Sequence, residues 1–333
     1  MGIRLYQQLA QVLSQGAAVL ATVITTQGSV PREVGAKMVI AASGESFNTI
    51  GGGAGEAKVI VQAHRVLETG QPQVVDIDLA GRPHQPVEGI CGGRMRVWLA
   101  CWSGDRASAL VQDILMHLRS GQAVTLVTPL LPDHVPYLLP RFNSSDPNAG
   151  EPAFVETLSP PPVLLIVGAG HVGEHLAQCA HWLGFQVVIQ DDRPEWANAQ
   201  RYPQADLICT EPLAQLLPQL ATHSQLYVAL VTRGYQYDLD TLHCLLQRDR
   251  PCVYIGMIGS VKRVQHVYQA LEQRGISRQQ LQEIYAPIGL DLGALTPAEI
   301  AVSICAELVL AQRGGTGRPL SQVSRVVIPS RPD

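Results

Sequence analysis

Apolar positions change period twice along this chain, and the changes divide it. Residues 3 to 14 space Ile3, Leu5, Leu9, Val12 and Leu13 as a helix would, and Gly16 ends the pattern. Short aliphatic or β-branched runs follow at 17–26, 36–42, 71–79, 94–102 and 123–131, each bounded by Gly, Ser or Pro, which predicts strands. Between them 54–69 and 106–119 carry a helical pattern. Strands outnumber helices without strict alternation, so residues 1–131 read as an N-terminal α+β domain. From 132 to 162 prolines and an Asn/Ser/Asp cluster predict a linker, within which "AFVETL" keeps strand character. After it strand and helix alternate strictly, with helices expected at 171–183, 211–220, 238–247 and 260–274. That alternation predicts a C-terminal, Rossmann-like, doubly wound parallel sheet over 163–333, and hence an α/β protein.

The first chemistry sits where this second half begins. In "LLIVGAGHVGEHL", Gly168, Gly170 and Gly173 fit G-x-G-x-x-G directly after an apolar strand, and the next strand ends in Asp191 and Asp192. The spacing predicts a phosphate at the amino end of a helix beginning near His171, with an acidic residue placed to accept from a ribose hydroxyl, as in an NAD site. His171, Glu174 and His175 also spell H-x-x-E-H, but Gly173 must face the sheet, so no zinc site is expected there. Gly259 and Ser260 open a later helix whose first turn holds Lys262 and Arg263, which is either a second anion site or an N-cap with two solvated cations. Thr296, Pro297 and Glu299 spell a capping box with proline at the first helical position.

Two further clusters lie in the first half. Gly51, Gly52, Gly53 and Gly55 sit between a strand and a helix and suit a backbone nest for an anion, with Glu56 either capping the turn or contacting the ligand. Upstream, Arg32 and Lys37 are either anion partners or part of a surface hairpin. "GICGGRMRVWL" sets Cys91 before Gly92 and Gly93, with Arg94 and Arg96 nearby to favour the thiolate. Cys91 is thus a candidate for contact with sulfur or a metal. The other six cysteines sit in apolar patterns and read as inert thiols.

Composition narrows the classes. The 333 residues are 46% hydrophobic and 16% charged, with a formal net charge of −4, so nucleic acid is not an expected partner and a subunit interface, most simply a homodimer, is. The chain shows no membrane-length apolar stretch and no signal-peptide layout at its start, which points to the cytoplasm.

Taken together, "QGSVPREVGAKM", "IGGGAGE", "CGGRMRV", "LLIVGAGHVG" with "DDR", "GMIGSVKRV" and "IYAPIGLDLGALTPAEIAVSICAELV" resemble the xanthine dehydrogenase accessory protein family, XdhC/CoxI. The resemblance spans the chain apart from about 103 to 160. It implies a chaperone that binds the molybdenum cofactor (molybdopterin), supports exchange of an oxo ligand for sulfur with a cysteine desulfurase, and hands the cofactor to a molybdenum hydroxylase such as xanthine dehydrogenase. In that setting Cys91 would meet the molybdenum or carry the sulfur. Gly51 to Gly53 with Glu56, Gly92, Gly93, the 168–173 turn with His171, Asp191, Asp192, Gly259 and Ser260 would hold the cofactor. Cys91 is single where some members carry adjacent cysteines. An NAD(P)-dependent oxidoreductase and a dinucleotide-sensing regulatory module are the alternatives. The absence of an evident proton-transfer dyad tilts the expectation away from an enzyme.

Overall fold

The computed structural model describes residues 2–79, 92–132, 134–139 and 150–323. They form two compact units, divided between Pro161 and Pro162.

The first unit contains α1 (Gly2–Leu13), β1 (Ala18–Gln27), β2 (Lys37–Ala41), β3 (Ser46–Phe47), α2 (Gly53–Thr69), β4 (Gln73–Asp78), β5 (Arg94–Trp102), α3 (Gly104–Arg119), β6 (Val124–Pro129), β7 (Tyr137–Leu139) and β8 (Ala153–Leu158). β3-β2-β1-β5-β4 form one antiparallel sheet, with Thr25 opposite Arg96 and Asp76 opposite Arg96 on the other side. Period-two alternation gives this sheet two apolar faces. Val19, Ala21, Val23, Val97 and Leu99 pack with Val59, Ala63 and Val66 of α2, while Leu20, Val39 and Trp102 pack with Leu5, Leu9, Ile114 and Leu118 of α1 and α3. The stretch expected as a linker carries β7 and β8, which flank β6 in a three-stranded antiparallel sheet. β8 is the "AFVETL" segment with strand character, whereas β7, three residues between Pro136 and Pro140, is hidden by the proline count.

The second unit contains β9 (Val163–Val167), α4 (His171–Trp182), β10 (Gln186–Gln190), β11 (Leu207–Cys209), α5 (Leu213–Leu216) running into a 3-10 turn (Leu217–Leu220), β12 (Leu226–Leu230), α6 (Tyr235–Leu246), β13 (Tyr254–Met257), α7 (Val261–Gln273), α8 (Arg278–Gln282), α9 (Pro297–Arg313) and α10 (Leu320–Val323). The sheet is wholly parallel in the order β11-β10-β9-β12-β13. β9 therefore lies at the centre, and the order reverses between β9 and β12. Every residue of β9 is buried, because both faces are covered. Leu164 and Ile166 pack on α4 and α9, whereas Leu165 and Val167 pack on the side of α6 and α7. The predicted capping box is present at α9: Thr296 Oγ1 accepts from the Glu299 amide and Glu299 accepts from the amides of Leu295 and Thr296. No helix among the described residues is long and apolar enough to cross a membrane.

Candidate functional site

The turn from β9 into α4 assigns a separate job to each of its three glycines. Gly168 has φ +113°, and a Cβ there would lie 2.5 Å from the carbonyl oxygen of Val231, so neither the conformation nor the space admits a side chain. Gly173 packs its bare Cα against the Gly168 carbonyl, which lets α4 settle on the strand. Gly170 differs: its φ is −77°, open to any residue, and a Cβ there would meet nothing within 4 Å. It is the N-cap of α4, and no side chain caps the helix, so open space lies beside Gly170 where an anion would approach.

The two acidic residues after β10 do something other than expected. Asp191, with a side chain only 4% exposed, accepts at Oδ2 from the Ala169 amide of the turn (2.7 Å) and at both oxygens from Arg193, which also donates its backbone amide. These bonds engage both oxygens, so the carboxylate expected to take a ribose hydroxyl instead braces the turn. Asp192 is held in a two-pronged pair by Arg233 (2.8 and 2.9 Å) and accepts from the Tyr237 hydroxyl (3.1 Å), which itself takes a bond from Arg233. Arg233 follows β12, so this pair spans the point where strand order reverses, the usual ligand crevice of such sheets. The crevice left there, between Gly168, Asp191, Asp192, Thr232, Arg233 and Tyr237, is about 40 Å³.

Burial by itself would raise the Asp191 pKa, but the bonds from Arg193 and Ala169 outweigh it and bring it down to about 2. A depressed carboxylate adds stability above its unfolded pKa and loses it as pH falls toward the folded one. We expect the second unit to lose about 2 kcal/mol between pH 5 and pH 2 through this group. Urea titrations across that range should give a flatter pH profile for Asp191→Asn; parallel profiles for parent and variant would refute the assignment.

An aromatic and cationic cluster lies beside the turn. The guanidinium groups of Arg193 and Arg201 sit 5.0 and 4.2 Å from the centre of the Trp196 ring, and His171, the first residue of α4, meets that ring edge-on at 5.6 Å. Glu174 pairs with Arg201 at 2.5 Å, so the one carboxylate of the H-x-x-E-H pattern is spent on a cation. Sequence motifs do not single out Arg193, Trp196, Arg233 or Tyr237, because Arg233 and Tyr237 meet Asp192 from more than 40 residues away and the local contacts of Arg193 and Trp196 follow no period; "DDR" and "TRG" are their only traces.

Around Gly259 and Ser260 the N-cap is present, but Arg263 is not the solvated cation that the capping alternative supposed. Ser260 Oγ accepts from the Arg263 amide, and the Arg263 side chain turns inward to Asp238 (2.5 Å) and Thr232 (2.9 Å). Arg263 is therefore a structural cation.

In the first unit the glycine nest is filled by its own chain. Positive φ values run through Gly51, Gly52 and Gly53, and Glu56 Oε2 accepts from the amides of Ile50 and Gly52 and from the Thr49 hydroxyl. Glu56 thus caps the turn, the first of the two alternatives read from the sequence. Gly93 is explained by a close approach, since a Cβ there would lie 2.6 Å from the Gln27 carbonyl, and Gly92 by its φ of +77°, with open space where a side chain would go. Cys91 lies outside the described residues. Arg94 and Arg96 pair with Asp78 (3.3 Å) and Asp76 (3.0 Å) along β4 and β5, beside a cleft of about 700 Å³. Lys37 is buried against Glu156 at 2.6 Å, which makes it a core ion pair rather than part of a surface hairpin. Among the described residues no three His, Cys, Asp or Glu side chains gather as metal ligands would.

Comparison with known proteins covers both units. The model of the XdhC Rossmann domain matches residues 164–308, and that of the XdhC and CoxI family matches residues 12–78. A crystal structure of a xanthine dehydrogenase from Bacillus halodurans superposes with a TM-score of 0.76 at 26% identity, over 97% of this chain and 99% of that one. A Bacillus subtilis protein named as a probable xanthine dehydrogenase subunit is 25% identical over 90% of this chain and 94% of its own length. The uncharacterised protein YqeB of Escherichia coli is also 25% identical over 90% of this chain, which spans 44% of that relative's length. With one model matching in each compact unit and a similar fold along nearly the full length, the chain belongs to the XdhC and CoxI family.

Proposed function

We propose that the chain is an accessory protein of a xanthine dehydrogenase-type molybdenum hydroxylase. In this reading it takes the molybdenum cofactor as cargo, presents it to a cysteine desulfurase for exchange of an oxo ligand for sulfur, and passes it to the hydroxylase. The carrying observation is the glycine turn, open only at Gly170 and flanked by Arg193 and Arg233, in a chain of this family. Molybdopterin ends in a phosphate, which suits an anion site with little room beside it. A dinucleotide needs a free acid for its ribose. Here Asp191 is engaged with Arg193 and the turn, which supports the accessory reading over an oxidoreductase or a dinucleotide sensor. The names of the Bacillus relatives point to the same kind of client.

The amides at the amino end of α4 would hold the phosphate and the His171–Trp196 surface would border the heterocycle, while Arg193 and Arg233 stay paired with Asp191 and Asp192 and order the crevice. Cys91 supplies the thiol for molybdenum or sulfur in this scheme, and the protein acts in the cytoplasm as a homodimer.

The test is purification of parent and Gly170→Val protein from cells that make the cofactor. Pterin fluorescence and molybdenum are expected in the parent and at least about tenfold lower in the variant, with an unchanged melting temperature, since the new side chain enters open space. Equal loading of a folded variant, or nicotinamide turnover by the parent, would overturn the reading.

A further inference from the structure

The face of the five-stranded sheet that packs on α1 and α3 is covered along only part of its length. At one end it sends Leu20, Ala100 and Trp102 into the core. Towards the other end β1 is bulged between Val23 and Thr25, after which Thr25 and Gln27 stand on this face level with Arg96 and Arg94 of β5. The same two arginines are level with Asp76 and Asp78 of β4 on their other side. Two polar rungs result, Thr25–Arg96–Asp76 and Gln27–Arg94–Asp78, and the cleft of about 700 Å³ lies over them. Between the rungs Met95 and Ile77 send their side chains through to the α2 side, so backbone floors the gap.

Spacing and chemistry both suit this gap to a flat ligand. Rungs two residues apart along a strand are separated by about 7 Å, which leaves room for one planar ring between them. Arg96 spends its Nε on Asp76 at 3.0 Å, which leaves its terminal amino groups to donate and the second Asp76 oxygen to accept. The two side chains are 55% and 74% exposed. One rung further along the same face, Trp98 is 6% exposed and its indole N–H finds no partner among the described residues. Opposite charges cancel within each rung, so the cleft favours a neutral ligand that carries donors and acceptors side by side over a bare anion.

We infer that the cleft binds a planar heterocycle with a lactam edge, as in an oxopurine or a pterin. The lactam N–H donates to Asp76, the neighbouring carbonyl accepts from Arg96, and the guanidinium groups of the two rungs lie against the faces of the ring. The site lies wholly within the first unit. It stands whether or not the α4 turn holds a phosphate.

The experiment titrates the full chain calorimetrically with inosine and with neopterin, lactam compounds that carry no phosphate. Saturable binding of at least one is expected, and the tighter of the two tells whether the cleft serves a purine or a pterin. Methylating the lactam nitrogen of that probe, or replacing Asp76→Asn in the protein, should each weaken binding at least about tenfold. Asp76 is exposed, so the variant should keep the parent's melting temperature. Gly170→Val protein should bind the probe as the parent does, which separates this site from the phosphate turn. No saturable binding of either probe at millimolar concentration, binding untouched by either change, or binding lost in Gly170→Val protein would overturn the proposal.

Discussion

Gly173→Ala is expected to destabilise the C-terminal unit by about 3 kcal/mol, whereas Gly170→Ala, three residues earlier in the same turn, changes it by only a few tenths. The difference follows from where each new methyl group goes. At Gly173 it drives into the Gly168 carbonyl, with the Tyr202 hydroxyl 3.3 Å away on another side. The carbonyl is backbone, fixed by the φ of +113° at Gly168 and by the bond from the Gly168 amide to the Gln190 carbonyl, so it cannot rotate aside. Either α4 lifts from the sheet or the turn distorts, and both loosen the apolar contacts of Leu176 and Ala177. At Gly170 the methyl group meets open space and an allowed backbone conformation. Urea denaturation, following the transition of this unit by Trp196 fluorescence, measures both variants against the parent. Equal midpoints for the two alanine variants would mean that the turn does not seat α4 as described.

This contrast also marks how far the sequence can be read. Features set by local period or by a few adjacent residues are legible: the alternation that makes the parallel sheet, the glycine turn and the Thr296–Glu299 box. The fingerprint identifies Asp191 by its distance from Gly168, but not Arg233 reaching Asp192 from 41 residues away. That pairing is a product of tertiary structure and leaves no period, and the local one, Arg193 folding back two residues onto Asp191, depends on the backbone bend between them. Glu56 is ambiguous in sequence because a carboxylate in a first helical turn suits both capping and ligand contact, and only the positions of the Ile50 and Gly52 amides decide between them. At 132–162, prolines mask β7 but not β8, whose alternation shows in "AFVETL"; the partner strand β6 lies upstream of both.

Arg263→Met should cost the C-terminal unit about 3 kcal/mol at neutral pH, and the loss should shrink in acid. Asp238 has no exposed side-chain surface, and its charge is balanced by Arg263 at 2.5 Å with the Thr232 hydroxyl also bonded to it. Burial already raises the Asp238 pKa, against the opposing pull of Thr232 and Arg263. Methionine fills similar volume without charge, so the variant leaves a buried carboxylate with only Thr232 to satisfy it. Its folded pKa then rises further above the unfolded value. A group raised in this way contributes most to stability below its unfolded pKa and loses that contribution as pH rises through the folded pKa. The gap between parent and variant should therefore be wide at pH 7.5 and narrow at pH 5, by up to about 1.4 kcal/mol for each unit over which Asp238 holds its proton only when folded. Adding Asp238→Asn should recover part of the loss at pH 7.5 by removing the stranded charge. Urea midpoints for parent, single and double variants at the two pH values measure all of this. A penalty independent of pH and untouched by Asp238→Asn would show that Arg263 acts through packing alone, and would return it to the cations available to a bound anion.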